Sequence, residues 1–83
     1  MPSQEIIVYG TTWCPDCWRA KNAFESKGIE YTWIDISIDK SARDYVESVS
    51  GGFRSVPTII FPDGSIMVEP STVELNKKFK EIT

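Results

Sequence analysis

Apolar residues fall along this chain in short β-like runs that alternate with stretches of helical period. Residues 5–11 contain Ile6-Ile7-Val8-Tyr9, a continuous and mostly β-branched run. That pattern predicts a strand covered on both faces, as in the middle of a sheet flanked by helices. Gly10, Thr11 and Thr12 end it. Over residues 17–27, Cys17, Ala20, Ala23 and Phe24 recur at helical spacing opposite Arg19, Lys21, Asn22 and Glu25. Pro15 suits the first helical turn, where a missing N–H costs nothing. Gly28 supplies a left-handed stop, with Ile29 folding back on Phe24.

Residues 31–36 form a second strand, so the first three elements make a βαβ unit with parallel strands and a right-handed crossover. Ser41-Ala42-Arg43-Asp44 has the form of a capping box with Asp in place of Glu. It predicts a helix to about residue 49 with Ala42, Tyr45, Val46 and Val49 facing inward, broken by Ser50-Gly51-Gly52. Residues 56–61 read as a third strand, Pro62-Asp63-Gly64 as a hairpin turn and residues 65–68 as the returning fourth strand. Ser71-Thr72-Val73-Glu74 is a full capping box for a last helix. Leu75, Phe79 and Ile82 are its predicted buried stripe, with Lys77, Lys78 and Lys80 mostly outward. The order is β-α-β-α-β-β-α, an α/β arrangement in one domain over residues 1–83.

Composition narrows the function classes. The 83 residues carry a net charge of −3 with 9 basic and 12 acidic side chains interspersed, leaving no basic patch for phosphates and hence no nucleic-acid partner. No apolar run approaches the length of a membrane span, and Met1-Pro2-Ser3-Gln4-Glu5 does not resemble a targeting segment. A cytoplasmic, monomeric protein is expected. In a reducing compartment a close pair of cysteines is catalytic or metal-binding rather than a structural staple.

The chain's 2 cysteines are Cys14 and Cys17, spaced C-x-x-C between the first strand and the first helix. Thiol–disulfide exchange needs a thiolate nucleophile, a second sulfur to resolve the mixed disulfide, and room for a partner. Cys14, just before the first helical turn, is expected to be exposed; free backbone N–H groups and the positive end of the helix dipole there stabilise a thiolate. Cys17, one turn further in and facing the core, is the expected resolving thiol. Asp16 is favoured at a helix N-terminus but raises the pKa of a neighbouring thiol, and residue types alone leave that balance open. Trp13, beside an exposed nucleophile, is expected to form an apolar wall around it rather than core. Zinc needs four ligands, and with 0 histidines and 2 cysteines this chain does not supply them alone. Two buried cysteines at this spacing by chance are the bland alternative. Pro57 cannot donate to a sheet ladder, and its residue type alone predicts an ordinary trans proline at the start of a strand.

The run Val8-Tyr9-Gly10-Thr11-Thr12-Trp13-Cys14-Pro15-Asp16-Cys17, then Gly52-Phe53-Arg54-Ser55-Val56-Pro57-Thr58 and Phe61-Pro62-Asp63-Gly64-Ser65, resembles the glutaredoxins. Within that family it is most similar to the mycoredoxin-type branch. The resemblance implies a thioredoxin-like fold: one four-stranded mixed sheet of order 2-1-3-4 flanked by three helices, with strand three antiparallel to strand one. It implies that Pro57 is cis and close to Cys14, and that Val56 offers its backbone to an extended substrate. The implied activity is reduction of mixed disulfides between proteins and a low-molecular-weight thiol, mycothiol or glutathione, acting as co-substrate with no bound cofactor.

The substrate-binding positions carried over are Thr11, Trp13, Pro15, Asp16, Arg54, Val56, Pro57, Ser71 and Thr72. Glutathione-using members usually have Lys where this chain has Thr11 and Tyr where it has Asp16. They commonly carry Gly-Gly-Cys/Ser-Asp-Asp where it has Val68-Glu69-Pro70-Ser71-Thr72, which shifts weight toward mycothiol. Ser71, Thr72 and the free amides of the last helix remain able to hold an anion. Two competing readings are a redoxin reduced by a flavin-dependent thioredoxin reductase and feeding ribonucleotide reductase, and an iron–sulfur carrier bridging a cluster through Cys14 of two chains.

Overall fold

In the computed structural model, residues 5–82 are described; the polar stretch Met1 to Gln4 lies outside the described residues. The elements are β1 (Ile7–Gly10), α1 (Pro15–Ser26), β2 (Thr32–Asp35), α2 (Lys40–Val49), β3 (Thr58–Ile60), β4 (Ile66–Val68) and α3 (Thr72–Ile82). The sheet order is β2-β1-β3-β4, with β1 parallel to β2 and antiparallel to β3, and β3 antiparallel to β4. Element order, strand order and strand directions all match the expected thioredoxin-like arrangement.

The continuous apolar run of β1 is explained by its central place. Alternate residues of a strand point to opposite faces, so one run feeds two cores. Ile6 and Val8 join Ala20, Phe24, Ile59, Phe61, Leu75 and Phe79 under α1 and α3, while Tyr9 packs with Ile36, Ala42 and Val46 under α2. Phe24 is fully buried, with ring centroids 4.9 Å from Phe79 and 6.4 Å from Phe61. Burying such a ring stabilises the fold by roughly 1.5–3 kcal/mol.

The helix ends are set locally. Gly28 adopts φ 68°, and Ile29 N–H returns to Phe24 C=O at 3.0 Å, the predicted stop. At α3 the capping box is reciprocal: Ser71 Oγ accepts from Glu74 N–H at 3.1 Å while Glu74 Oε1 accepts from Ser71 N–H at 2.8 Å. The box predicted at Ser41 does not form. Asp39 is the cap instead, accepting Ala42 N–H at 3.0 Å and the Ser41 hydroxyl at 3.0 Å, whereas Asp44 is drawn to Lys40 at 3.1 Å. An ionised carboxylate is the stronger acceptor for a free amide than a hydroxyl. Two predicted faces also need correction. Ile82, in the last turn of α3, is exposed, and Tyr45 stays at the surface, stacked obliquely on Tyr9. Lys78 folds inward, its side chain 11% exposed, between Asp63 and the Phe61 ring.

Candidate functional site

Cys14 caps α1 in extended conformation (φ −94°, ψ 114°), and its Sγ accepts the Cys17 N–H at 3.1 Å. A sulfur is thus doing at this helix what Ser or Asp does at others, satisfying one of the orphan amides of the first turn. Pro15 occupies the first turn as predicted, and Asp16 pairs with Arg19 at 2.8 Å. The Cys14 thiol is half-buried; the Cys17 thiol is fully buried. Burial, then its hydrogen bond to Cys14, push the Cys17 thiol up to about 12; the nearby Asp16 charge adds a smaller push, and the Thr11 backbone works the other way.

Close approach behind Cys17 depends on Gly10. A Cβ at this position would lie 2.7 Å from Cys17 Sγ and 2.6 Å from the Trp33 ring, so β1 brings the sulfur and the indole together only because residue 10 has no side chain.

Across from Cys14, the Val56–Pro57 peptide is cis. The Cys14 thiol lies 3.9 Å from Val56 C=O, so the loop before β3 packs against this sulfur as the family resemblance implied and as residue type alone did not. Pro57 is buried, and its carbonyl accepts Glu69 N–H at 2.8 Å. Glu69 itself sits at φ 49°, a left-handed conformation that costs a non-glycine residue about 1–2 kcal/mol.

A groove of about 370 Å³ opens beside this loop, with Thr11, Trp13, Arg54 and Val56 among its walls. Trp13 is 71% exposed and lines the groove rather than the core. Thr11 is 7% exposed, and its Oγ1 has no hydrogen-bond partner among the described residues. Arg54 Nε donates to Glu47 Oε2 at 2.6 Å. Ser71 and Thr72 are not among the lining residues. The Ser71 hydroxyl and N–H are both engaged by Glu74, whose carboxylate stands at the head of α3.

Three further lining residues, Ile36, Ser37 and Arg43, are absent from the sequence-based candidates. Ile36 and Ser37 follow β2, at the same end of the sheet as the cysteines because β1 and β2 are parallel. Arg43 has one faint signal: it adjoins Ala42 at the border between the buried and exposed faces of α2.

A glutaredoxin family model matches residues 6–66 of this chain. A Mycobacterium tuberculosis protein that carries a glutaredoxin name is 39% identical over 82 residues, covering 99% of this chain and 98% of its own length. Mycoredoxin 1 of Corynebacterium glutamicum is 34% identical over 77 residues, covering 93% of this chain and 95% of its own. Among solved structures, the Archaeoglobus fulgidus glutaredoxin superposes with a TM-score of 0.75 at 25% identity, over 89% of this chain and 84% of that one.

Proposed function

The chain belongs to the glutaredoxin family and is a thiol–disulfide oxidoreductase; from that premise we propose that it reduces mixed disulfides between proteins and a low-molecular-weight thiol. The Cys14 thiolate attacks the small-thiol sulfur of the mixed disulfide. The Cys14–S–S–thiol bond forms as the old disulfide breaks, and the target protein leaves as a thiolate that takes up a proton. Cys17 then attacks Cys14 Sγ, releasing the small thiol and leaving a Cys14–Cys17 disulfide. Two electrons from a second small thiol pair or from a flavin-dependent disulfide reductase restore the dithiol.

The observation that carries this reading is the placement of Cys14 Sγ. It accepts a helix N-terminal amide at 3.1 Å and lies 3.9 Å from Val56 C=O, with the fully buried Cys17 directly behind it. An extended disulfide substrate laid along Val56 would present its sulfur to Cys14 by the logic of strand addition. The mycoredoxin relative favours mycothiol as the small thiol. No described helix is long and apolar enough to cross a membrane; a monomer working in the reducing cytoplasm is the setting that fits a dithiol.

The test is to trap the intermediate. Cys17→Ser protein incubated with the disulfide form of mycothiol or of glutathione should gain one thiol mass on Cys14 by intact mass spectrometry, and Cys14→Ser should gain none. Absence of an adduct with either thiol, together with fast NADPH-linked turnover by thioredoxin reductase alone, would move the protein to the ribonucleotide-reductase redoxin reading.

A further inference from the structure

The helix that carries the cysteines is capped by an atom that its own chemistry uses up. Cys14 caps α1 with its sulfur, which accepts the Cys17 N–H at 3.1 Å, and in the reading above that sulfur is also the reacting atom. A thiolate is a good acceptor for a helix amide, whereas a sulfur held in a disulfide is a weak one. Each time Cys14 enters a disulfide, α1 therefore loses much of its cap. The backbone bonds around the turn are poor substitutes. Cys14 N–H reaches Thr11 C=O at 3.4 Å and Trp18 N–H reaches Cys14 C=O at 3.2 Å, at or beyond the long end of the ordinary range.

One side chain ties the turn to the helix without using either sulfur. Trp18, directly after Cys17, donates its indole N–H to Thr12 C=O at 2.7 Å, six residues back in the chain. Trp18 is 47% exposed, so burial in the core does not account for its placement. Its ring is braced in turn. The half-buried Lys21 holds its Nζ 4.4 Å from the centre of the Trp18 ring and 4.2 Å from that of Trp33 on β2. A partly buried ammonium over indole faces is attracted by the ring quadrupoles. The Trp33 ring packs onto Gly10, as does Cys17 Sγ. Three side chains thus join the 11–14 turn, α1 and β2.

We infer that Trp18 is a positioning residue for Cys14. Its indole N–H keeps the 11–14 turn seated on α1 while the Cys14 sulfur is engaged in a disulfide, and Lys21 and Trp33 hold the indole in place. The inference rests on the disulfide-reductase reading above and concerns the oxidised half of its cycle. In the dithiol the Cys14 cap shares the task with Trp18; in the disulfide Trp18 carries it alone. Losing the indole bond therefore weakens the disulfide form more than the dithiol form, and the balance between them moves toward the dithiol.

The test reads that balance in mixtures of oxidised and reduced dithiothreitol, which require no particular small thiol. The Cys14–Cys17 bond forms as the disulfide of oxidised dithiothreitol breaks, and two electrons and two protons pass from protein to reagent. Acid quenching, alkylation and intact mass spectrometry give the ratio of disulfide to dithiol protein. Trp18→Phe keeps a ring beside Lys21 and removes the donor, and it should lower that ratio about fivefold, the scale of one hydrogen bond. Lys21→Met should lower it less, and Lys21→Arg, which keeps a cation over both rings, should match the wild type. In urea, Trp18→Phe should lower the midpoint of the disulfide form more than that of the dithiol form. A role confined to stability would lower both midpoints equally and leave the ratio unchanged. That outcome, or a ratio moved toward the disulfide, would overturn the inference. If Trp18→Phe does not fold, the Lys21 variants decide it, and a wild-type ratio in Lys21→Met would overturn it. Failure of the wild type to form any Cys14–Cys17 disulfide would instead count against the disulfide-reductase reading.

Discussion

Cys14 and Cys17 are the same residue type three positions apart, yet the fold gives them different exposure and different partners. Cys14 holds a helix amide through its sulfur; the buried Cys17 sulfur and the Trp33 ring both pack onto Gly10, in the space a Cβ there would take. Because burial is the first cause of the raised Cys17 pKa, the thiol should stay raised when Cys14 is removed. In the Cys14→Ser protein, alkylation of Cys17 by iodoacetamide should be slow at pH 8. It should climb about tenfold per pH unit with no plateau by pH 10, since only the thiolate reacts. In urea the same thiol should level off near its ordinary value of 9.0. The linkage has a fixed sign. A pKa raised to about 12 in the folded protein, against 9.0 unfolded, contributes stability that is complete below pH 9 and lost as pH rises toward 12. The contrast between a half-buried Cys14 and a buried Cys17 was legible from spacing, because three residues is nearly one helical turn. The packing of Gly10 and Trp33 around Cys17 was not, since it depends on what a distant segment brings to the same place.

At the scale of elements, the ends of helices decided where sequence reading succeeded. The α3 box was legible because Ser71 and Glu74 have no stronger local competitors and bond to each other's amides. At α2 the Ser41 box lost to a charged residue two positions earlier, with its intended partner Asp44 taken by Lys40. Ser71→Ala should lower the stability of the protein by about 1 kcal/mol, and Glu74→Ala should cost little more in that background because both remove one reciprocal motif. Urea denaturation of the two single variants and the double variant measures this non-additivity. The cis bond at Pro57 shows a different limit. Residue type favours trans, and only the longer motif shared with the family pointed to cis. Strand directions were legible because a βαβ unit fixes β1 and β2 parallel, and a short turn fixes β3 and β4 antiparallel.

At the scale of the whole molecule, α3 and the β3–β4 hairpin meet outside the two cores as well as within one of them. Their join is ionic and aromatic rather than only apolar. Lys78 reaches from α3 to Asp63 in the hairpin turn at 2.7 Å, with its Nζ 5.0 Å from the centre of the Phe61 ring. A lysine in a run of lysines reads as solvent-facing, and only the return of the hairpin beneath it makes an inward lysine favourable. The Lys78 ammonium first, then the Ser65 hydroxyl and amide, hold the Asp63 carboxyl well below its ordinary 3.8, while Asp63 holds Lys78 above 10.5. The depressed carboxylate contributes stability that is present above about pH 4 and lost as pH falls through its lower folded value. The raised ammonium contributes stability that is present below 10.5 and lost as pH rises. Lys78→Met keeps the stem over Phe61 and removes only the charge. Urea midpoints should therefore favour the wild type at pH 7, with the gap closing as the pH falls from 5 to 2. Asp63→Asn should close the same gap, and the double variant should add little to either single one, because the two groups act as a pair. A gap that stays constant down to pH 2 would mean that the Lys78 ammonium acts through the Phe61 ring rather than through Asp63, and no gap at any pH would mean that Lys78 joins the hairpin to α3 through its stem alone.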